Sequence, residues 1–392
     1  MISEKLKPLM ANNSVIRAMF EEGTKMREKY GSENVYDFSL GNPNVAVPAK
    51  VNESMIRLLQ ECEPDLHAYM NNAGFPDVRE TVAQSINETH ETNFNKDNII
   101  MTCGAAGGIN VALNVIMNPG DEALVFVPFF LEYTWHVNNV NGKIVGVKTD
   151  DSFMPDLADF ESKITDKTRV LVLNSPNNPT GVVYPAHVIS AIAEILTRKQ
   201  NEFNRTMFIL SDEPYRELAY EGTQVPYVTK FYPNTIVSYS FSKSLSLPGE
   251  RIGYLVIPSE MEEAELVFDT ASNANRILGF INAPSLIQKV IGECIDCKVD
   301  VAYYDRNRLA LYNMITELGF QCIKPMGAFY LFVKSPLEDD KTFVDLAKKY
   351  HILMVSGGAF GMPGYVRLAY CVSYETILNA KESFQKLAKE TL

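Results

Sequence analysis

Three residues between positions 235 and 258 have the chemistry and spacing of an anchored, reactive amine. An apolar, β-branched run ends in Ser240, Lys243 follows three residues later, and Arg251 comes eight residues after that. A lysine amine that is kept partly neutral attacks carbonyl groups, and a serine with a guanidinium binds an anion such as a phosphate. A loop lysine alone is more often simply exposed. The interpretation therefore depends on whether the rest of the chain builds a site around Lys243.

The elements that must position this lysine are strands that alternate with helices. Between residues 97 and 258, apolar runs are separated by helical stretches such as 107–117 and 186–199. This alternation predicts an α/β fold, with a mostly parallel seven-stranded sheet that is covered by helices and joined by right-handed crossovers. The predicted strands include Ile99–Thr102, Ala123–Val127, Lys143–Val147, Arg169–Leu173, Met207–Leu210 and Thr235–Tyr239.

The segments before and after this region differ from it in their pattern of predicted helices and strands. Residues 1–45 read as a helical arm, 46–283 as the large domain, and 284–392 as a smaller α+β domain with which the arm packs. Within the smaller domain we expect strands over 327–333 and 366–371, and helices over 284–318, 341–350 and 373–390.

Polar residues follow four of the predicted strands of the sheet. In open α/β sheets, ligands bind beyond the carboxyl ends of the strands. Cys103–Gly108 is a small-residue loop that opens a helix, which suits an anion. The other strand ends supply Asn178, then Asp212 with Tyr215, and finally Ser240 with Lys243. The conjunction predicts one site that contains an anion cup, an amide, a carboxylate and an amine.

Charge, hydrophobicity and cysteine content argue against nucleic-acid-binding, secreted, membrane and metal-binding classes of protein. The net charge of 36 − 48 = −12 and the absence of a basic block argue against a nucleic-acid partner. The N-terminus lacks the apolar core of a signal peptide, and the longest apolar run, 123–131, is too short to span a bilayer. Six scattered cysteines include one CxxC pair, Cys294 and Cys297, without a second pair, so no metal is expected. We expect a cytoplasmic, reduced protein.

Together these residues match one cofactor, pyridoxal phosphate, and one family. The chain resembles the fold-type I, class I and II aminotransferases, in order and spacing, over nearly its whole length. The motifs that carry the resemblance are Asn178-Pro179-Thr180-Gly181, Asp212-Glu213-Pro214-Tyr215, Ser240-Phe241-Ser242-Lys243, Arg251-Ile252-Gly253 and Arg367-Leu368-Ala369.

The resemblance implies a role for each catalytic residue. Lys243 bonds the aldehyde of the cofactor and then moves a proton to and from the substrate, while Asp212 faces the ring nitrogen. Asn178 and Tyr215 donate to the phenolate oxygen, and Phe130 stacks on the ring. The residues implied as phosphate ligands are Gly104, Ala105, Ala106, Ser240 and Arg251.

The resemblance also implies the substrate site and the assembly. Arg367 grips the α-carboxylate of the amino acid, Gly41 passes close to it, and Asn178 borders it. Tyr69 matches a tyrosine that reaches the phosphate in the neighbouring subunit, so a homodimer with shared sites is expected. Arg276 is a candidate receptor for a second carboxylate. The implied reaction is ping-pong transfer of an amino group between an amino acid and a 2-oxo acid, with aspartate or glutamate and 2-oxoglutarate as candidate substrates.

The chain departs from the family pattern at two positions. Bacterial aspartate aminotransferases of this group often carry a lysine in the Gly loop for the distal carboxylate, and here that position is Ala106. The loop Gly41–Asn44 has asparagines where acidic residues are frequent. Both departures argue against a preference for aspartate, and neither touches the cofactor residues.

Three alternatives compete with this interpretation. Ser240 to Lys243 also satisfies the SxxK pattern of serine acyl-enzymes, but the companion SDN and KTG strings are absent, and Ser240 is expected to end a strand rather than open a helix. An aminotransferase-like regulator would need an added DNA-binding module. A carbon–sulfur β-lyase shares every cofactor residue, so the sequence leaves it open.

Overall fold

The structure, a computed structural model, describes residues 15–392. The first fourteen residues of the predicted arm lie outside the described residues. The described part contains fourteen α-helices and twelve strands, which are numbered here in chain order. None of its helices is both long enough and apolar enough to cross a membrane.

The helices cover most of the chain between the strands. They are α1 Val15–Tyr30, α2 Ala49–Glu61, α3 Pro76–His90, α4 Gly104–Ile116, α5 Glu132–Asn139, α6 Leu157–Lys163, α7 Ala186–Phe203, α8 Phe241–Ser244, α9 Ala264–Ile277, α10 Ser285–Cys294, α11 Val301–Glu317, α12 Asp340–Lys349, α13 Tyr374–Asn379 and α14 Lys381–Thr391.

The strands form one large sheet and two small ones. They are β1 Tyr36–Asp37, β2 Ile99–Thr102, β3 Glu122–Phe126, β4 Lys143–Val147, β5 Thr168–Asn174, β6 Phe208–Asp212, β7 Thr235–Ser240, β8 Gly253–Val256, β9 Tyr330–Lys334, β10 Ile352–Leu353, β11 Val355–Ser356 and β12 Tyr365–Ala369.

The large sheet has seven strands in the order β2-β8-β7-β6-β5-β3-β4. Only β8 runs antiparallel to its neighbours, β2 and β7. Strands β5, β6 and β7 are buried almost throughout because helices cover both faces, which explains their continuous apolar runs. The predicted α/β class, with a mostly parallel seven-stranded sheet, is confirmed.

Because β5, β6 and β7 are parallel neighbours, their last residues meet at one edge. Asn174 pairs in register with Asp212, which pairs with Ser238 two residues before the end of β7. The Asn174 Nδ2 group donates to the Asp212 carbonyl oxygen at 2.9 Å and holds the two strand ends together. The polar residues that the sequence places after these strands therefore converge.

The C-terminal residues build a second core around the three-stranded antiparallel sheet β11-β12-β9. The N-terminal arm contributes to it: Met19 and Phe38 are buried there, and β1 pairs in parallel with β10. Phe38 also accepts at its carbonyl oxygen from the Ala369 backbone N–H, which ties the arm to β12.

The single helix predicted over 284–318 is wrong, because the chain forms two helices there. Asp300 begins the second, α11, by accepting from the Tyr303 backbone N–H, and an N-cap of this kind starts a new helix rather than continuing one. The first, α10, buries Ile287 and Val290 against α2, α3 and β2 of the large unit. We therefore propose that the boundary between the two units falls near residue 295 rather than 284.

The final helix predicted over 373–390 is also divided. It forms α13 and α14, which meet at Ala380, and Ser373 caps α13 by accepting from the Thr376 backbone N–H. Elsewhere the predicted strands and helices overlap the observed ones, with ends displaced by up to four residues.

Candidate active site

A cavity of about 370 Å³ lies at the carboxyl ends of the parallel strands. Most residues selected from the sequence line it, although they come from positions as far apart as 41 and 367. The predicted residues found there are Gly41, Ala105, Ala106, Phe130, Asn178, Asp212, Tyr215, Ser240, Lys243, Arg251 and Arg367.

One end of the cavity is built to hold an anion. Helix α4 begins at Gly104, whose φ of +70° favours glycine, and a Cβ there would lie 2.9 Å from the Arg251 guanidinium. The first turn of α4 therefore presents free backbone N–H groups beside a cation, the arrangement that binds phosphate groups in proteins. Ser240 and Ser242 add two hydroxyls, whose oxygens are 2.7 Å apart.

Ser240 is both the last residue of β7 and the N-cap of the short helix α8. Its hydroxyl accepts from the Ser242 backbone N–H at 3.2 Å. Ser240 ends a strand, as expected, but it also opens a helix, which was not expected. The position of Ser240 therefore does not argue against a serine acyl-enzyme. The missing companion motifs remain the argument from the sequence.

Lys243 lies on α8 with its amine inside the cavity. Its Nζ donates to the Gly41 carbonyl oxygen at 2.7 Å and lies 5.3 Å from the centre of the Phe329 ring. Burial lowers the pKa of Lys243 to about 8, and the Arg367 and Arg251 guanidiniums add to this lowering while the Cys371 thiol opposes it. A substantial fraction of the amine is therefore neutral near pH 8, as a nucleophile requires.

Asp212 ends β6 as a buried carboxylate with one partner. The Tyr133 hydroxyl donates to Oδ2, whereas Oδ1 has no partner among the described residues. Burial raises the pKa of Asp212 to about 7, the bond from Tyr133 opposes this shift, and the nearby Glu213 carboxylate adds to it. A buried carboxylate oxygen without a donor is costly, so Oδ1 is positioned for a donor that enters the cavity.

Tyr215, Tyr330 and Asn178 also line the cavity. The hydroxyls of Tyr215 and Tyr330 are 2.9 Å apart. The Asn178 side chain accepts from Arg367 through Oδ1 at 3.0 Å, and its backbone N–H donates to Asn174 Oδ1 at 2.8 Å. Arg367 therefore holds the side chain of Asn178, and Asn174 holds its backbone.

Arg367 is 2% exposed and lies close to two aromatic rings. Its guanidinium carbon is 4.4 Å from the centre of the Tyr330 ring and 4.7 Å from that of Phe360. Besides the bond to Asn178, Nη2 donates to the Ser39 carbonyl oxygen at 2.8 Å. No acidic side chain of the described residues pairs with this buried cation, so it suits a carboxylate that comes from outside the chain.

Gly41 and Tyr330 approach each other closely at the edge of the cavity. A Cβ on Gly41 would lie 2.0 Å from the Tyr330 hydroxyl oxygen, so only glycine fits at this position. The role next to the substrate that the resemblance implies for Gly41 stays a prediction. The contact also brings the Gly41 carbonyl within reach of Lys243.

Three predicted residues do not line the cavity of their own chain: Gly104, which lies beside the Arg251 guanidinium, and the more distant Tyr69 and Arg276. Tyr69 is 91% exposed, and Arg276 is exposed in the last turn of α9. Exposed apolar residues lie beside Arg276, among them Ile277 at 80% and Ile281 at 39%. The roles that the resemblance implies for Tyr69 and Arg276 require a second subunit and stay predictions.

Sequence reasoning gave no role to six polar residues that line the cavity: Tyr133, Tyr330, Glu132, His136, Asn174 and Ser242. The first two contact residues that had been singled out, Asp212 and Tyr215. Tyr133 and His136 follow Phe130 at helical spacing, so reading α5 as a helix would have placed both beside it. The GAFYLFV strand that contains Tyr330 gave no such signal, because strand periodicity alone does not bring it to Tyr215.

No group of three or more His, Cys, Asp or Glu side chains is arranged to hold a metal ion within residues 15–392. The six cysteines, including Cys294 and Cys297, are free thiols in the structure.

A family model described as aminotransferase class I and II matches residues 32–384 of this chain. The chain belongs to this family. The resemblance that the motifs carry is confirmed, and the family supports an enzyme, a transaminase, rather than a non-enzymatic regulator.

Curated relatives of this aminotransferase extend over almost its whole length. It is 29% identical to the aspartate aminotransferase of Pyrococcus horikoshii, over 96% of this chain and 95% of that protein. It is 31% identical to a probable aspartate aminotransferase of Methanocaldococcus jannaschii, over 98% of this chain and 100% of that one.

Solved structures show the same architecture. An aminotransferase from Eubacterium rectale superposes with a TM-score of 0.97 at 41% identity, covering 100% of this chain and 99% of that one. The aspartate aminotransferase of Thermus thermophilus with maleate superposes with a TM-score of 0.88 at 26% identity, covering 99% of both chains.

Proposed function

We propose that this aminotransferase uses pyridoxal phosphate to move an amino group between an amino acid and a 2-oxo acid in two half-reactions at one site. The observation that carries the proposal is a single cavity that contains the Lys243 amine, the unpartnered Oδ1 of Asp212 and the unpaired Arg367. Among the described residues, Asp212 Oδ1 has no hydrogen-bond donor, and Lys243 and Arg367 have no acidic partner. The proposed ligands would supply a partner to each of these groups.

The residues fit the cofactor at each of its polar groups. The first turn of α4, with Ser240 and Arg251, suits the phosphate, because it combines backbone N–H groups, a hydroxyl and a cation. Asp212 Oδ1 suits the protonated ring nitrogen. Tyr215 and Asn178 suit the phenolate oxygen, and Phe130 suits the ring face.

When bound, the cofactor supplies an aldehyde that bonds the amino group and a ring that accepts the electron pair left at the substrate Cα. The residues of the chain do the remaining work. Lys243 would hold the aldehyde through its amine, and the same amine would take the substrate Cα proton and later return a proton. Asp212 holds the ring nitrogen protonated, and Arg367 fixes the α-carboxylate, which orients the Cα–H bond toward Lys243.

The finer parts of the function are proposals of the same kind. We propose a homodimer in which Tyr69 completes the phosphate site of the neighbouring subunit, because its own cavity does not contain it. The relatives that are named as aspartate aminotransferases make aspartate, glutamate and 2-oxoglutarate the first substrates to assay. The cytoplasmic location stays a prediction.

The experiment that tests the proposal is reduction of the purified protein with borohydride, followed by peptide mapping. We expect a yellow protein whose absorption band disappears on reduction, with the cofactor fixed on Lys243. Lys243→Ala is the matched control and should retain no reducible adduct. An adduct on any other lysine contradicts the assignment.

A second assay separates transfer from elimination. Amino acids are supplied with and without a 2-oxo acid, and amino-acid product, pyruvate and ammonia are measured. A transaminase forms product only when the 2-oxo acid is present. Release of pyruvate and ammonia from a cysteine-type donor without a 2-oxo acid would instead identify a carbon–sulfur β-lyase.

A further inference from the structure

One wall of the cavity carries polar groups that the proposed chemistry does not use. Helix α5 supplies Glu132 and His136, four residues apart and hence on one face, and α4 supplies Ala106 and Ile109. Phe130 joins this wall just before α5. The other charged residues that line the cavity already have tasks: Asp212, Lys243, Arg251 and Arg367.

The Glu132 carboxylate is half-buried and lines the cavity. No described residue donates a hydrogen bond to it or forms an ion pair with it, and burial raises its pKa. Ala106, at the position where related enzymes carry a lysine, offers no cation. Glu132 is therefore a hydrogen-bond acceptor that faces the ligand space without a partner from residues 15–392.

His136 does not neutralise this carboxylate. The Asn110 side chain donates from Nδ2 to the Ala106 carbonyl at 2.9 Å and accepts through Oδ1 from Asn139 at 3.0 Å. These contacts fix the amide, so its second N–H points to His136 Nδ1, 2.7 Å away. Nδ1 then accepts and the ring proton lies on Nε2. Burial lowers the pKa of His136 to about 4, so the ring is neutral.

The wall thus combines an anionic acceptor with a neutral N–H donor and has no cation. We propose that Glu132 receives the end of the amino-acid side chain, and that it selects an end that donates N–H over a carboxylate. The shared chemistry is an N–H group, as in a carboxamide or an ω-ammonium. A carboxamide satisfies both wall groups, because its amide N–H reaches Glu132 while its oxygen accepts from His136.

A carboxylate in the same place would meet Glu132 as a like charge in a partly desolvated cavity. This inference rests on the proposed function, and it deepens that function by naming a substrate class. It opposes the prediction that Arg276 of a second subunit receives a distal carboxylate, since an arginine that reached this wall would pair with Glu132 instead.

Glutamine and glutamate provide the sharpest test, because they differ only in the terminal group. The kcat/KM values of wild type and Glu132→Gln are measured for glutamine, glutamate and ornithine, each relative to norvaline, which lacks a polar end. We expect wild type to prefer glutamine over glutamate by about tenfold or more, because a site built for an N–H donor rejects an analogue that lacks it. Glu132→Gln should reduce that ratio by about tenfold.

Ornithine separates the two N–H sources. A preference for ornithine over glutamine assigns the wall to an ω-ammonium, and the reverse assigns it to a carboxamide. Glu375→Gln is the matched control: it removes an exposed glutamate from the first turn of another helix, α13, and should leave the glutamine-to-glutamate ratio at its wild-type value.

Binding of α-methyl analogues keeps the proposal testable without turnover. α-Methylglutamine and α-methylglutamate lack the Cα proton, so their Kd values report recognition alone. A wild-type preference for the glutamate member of either pair overturns the proposal, as does a ratio that Glu132→Gln leaves unchanged. Failure of the proposed function looks different: no donor is transaminated, including norvaline, and borohydride leaves no adduct on Lys243.

Discussion

The Tyr133 hydroxyl donates to Asp212 Oδ2 at 2.5 Å and leaves Oδ1 of the same buried carboxylate without a partner among the described residues. One tyrosine therefore fixes the orientation of the acid, and the acid keeps one oxygen free for a ligand. Phe130 packs edge to face against the same tyrosine, with ring centres 5.7 Å apart. Phe130 and the Asp212 carboxylate are thus both in contact with a single residue, Tyr133.

Asp212→Asn should make the cofactor-free protein more stable at alkaline pH while abolishing most activity. Folding raises the pKa of Asp212 to about 7, so the folded state resists its ionisation and loses stability as pH rises toward 7. Each pH unit between the unfolded and folded pKa corresponds to about 1.4 kcal/mol, which gives a penalty of about 4 kcal/mol above pH 7. Asparagine carries no charge and avoids it.

The measurement is urea unfolding of both cofactor-free proteins between pH 5 and pH 8. The stability gain from Asp212→Asn should grow across that range and level off above pH 7. A gain that is the same at pH 5 and pH 8 would show that ionisation of Asp212 is not its cause. In the loaded enzyme, kcat should fall by about a hundredfold or more, because the ring nitrogen loses its charged partner.

The rate at which the cofactor-free protein regains its cofactor should follow the neutral fraction of Lys243. Burial and two guanidiniums hold the pKa of this lysine near 8, so the amine is mostly protonated at pH 6 and mostly neutral at pH 9. We expect the rate to rise about tenfold per pH unit below pH 7.5 and to level off above pH 8.5. The absorption band that returns after cofactor is added measures it. An inflection near pH 10 would contradict a depressed pKa.

Arg367→Lys should weaken every amino-acid substrate by a similar factor. The planar guanidinium lies close to Tyr330 and Phe360 and is bonded to Asn178 and the Ser39 carbonyl, contacts that an ammonium does not reproduce. We expect kcat/KM to fall by about a hundredfold for donors with unlike side chains. Tyr330→Phe is the control, since it keeps the ring under the guanidinium and removes only the hydroxyl. A loss confined to one class of side chain would place Arg367 elsewhere in recognition.

Mixed dimers should recover activity that neither parent chain has. Tyr69 is outside the cavity of its own chain, so a Lys243→Ala chain supplies an intact Tyr69, and a Tyr69→Phe chain supplies an intact Lys243. Tyr69→Phe removes the hydroxyl that is proposed to complete the neighbouring phosphate site, and this loss should inactivate the second parent. Random exchange in equal amounts should rebuild about a quarter of all sites. Exchanged chains that stay as inactive as the parents would show that each site is self-contained.

The sequence predicted the convergence at the sheet edge because parallel strands carry their polar end residues to the same side. Asn178, Asp212 and Ser240 follow three neighbouring parallel strands, β5, β6 and β7, and spacing alone places them together. Arg367 was different: only the family motif connected it with Lys243, because 123 residues lie between them in the sequence and Arg367 lies on a strand of the second core.

The residues that sequence reasoning missed depend on packing between elements. Tyr330 reaches Tyr215 because a strand of the small sheet docks against the loop after β6, and no local pattern encodes that docking. Helix boundaries failed for a related reason. Asp300 reads as one more polar residue in an apolar periodicity, and only its bond to the Tyr303 N–H shows that α11 begins there.

Residues 240 to 253 form a loop whose two ends are held together by strand pairing. Ser240 and Gly253 are partners in the β7–β8 ladder, and the segment between them carries Lys243 and Arg251. Because strand pairing fixes both ends of this loop, its length determines the distance between the Lys243 amine and the Arg251 guanidinium. Exposed loop tips such as Gly249 and Glu250 normally tolerate added residues. Here a single inserted residue would leave both strands intact but change the distance between Lys243 and Arg251. We therefore expect related sequences to keep the length of this loop constant.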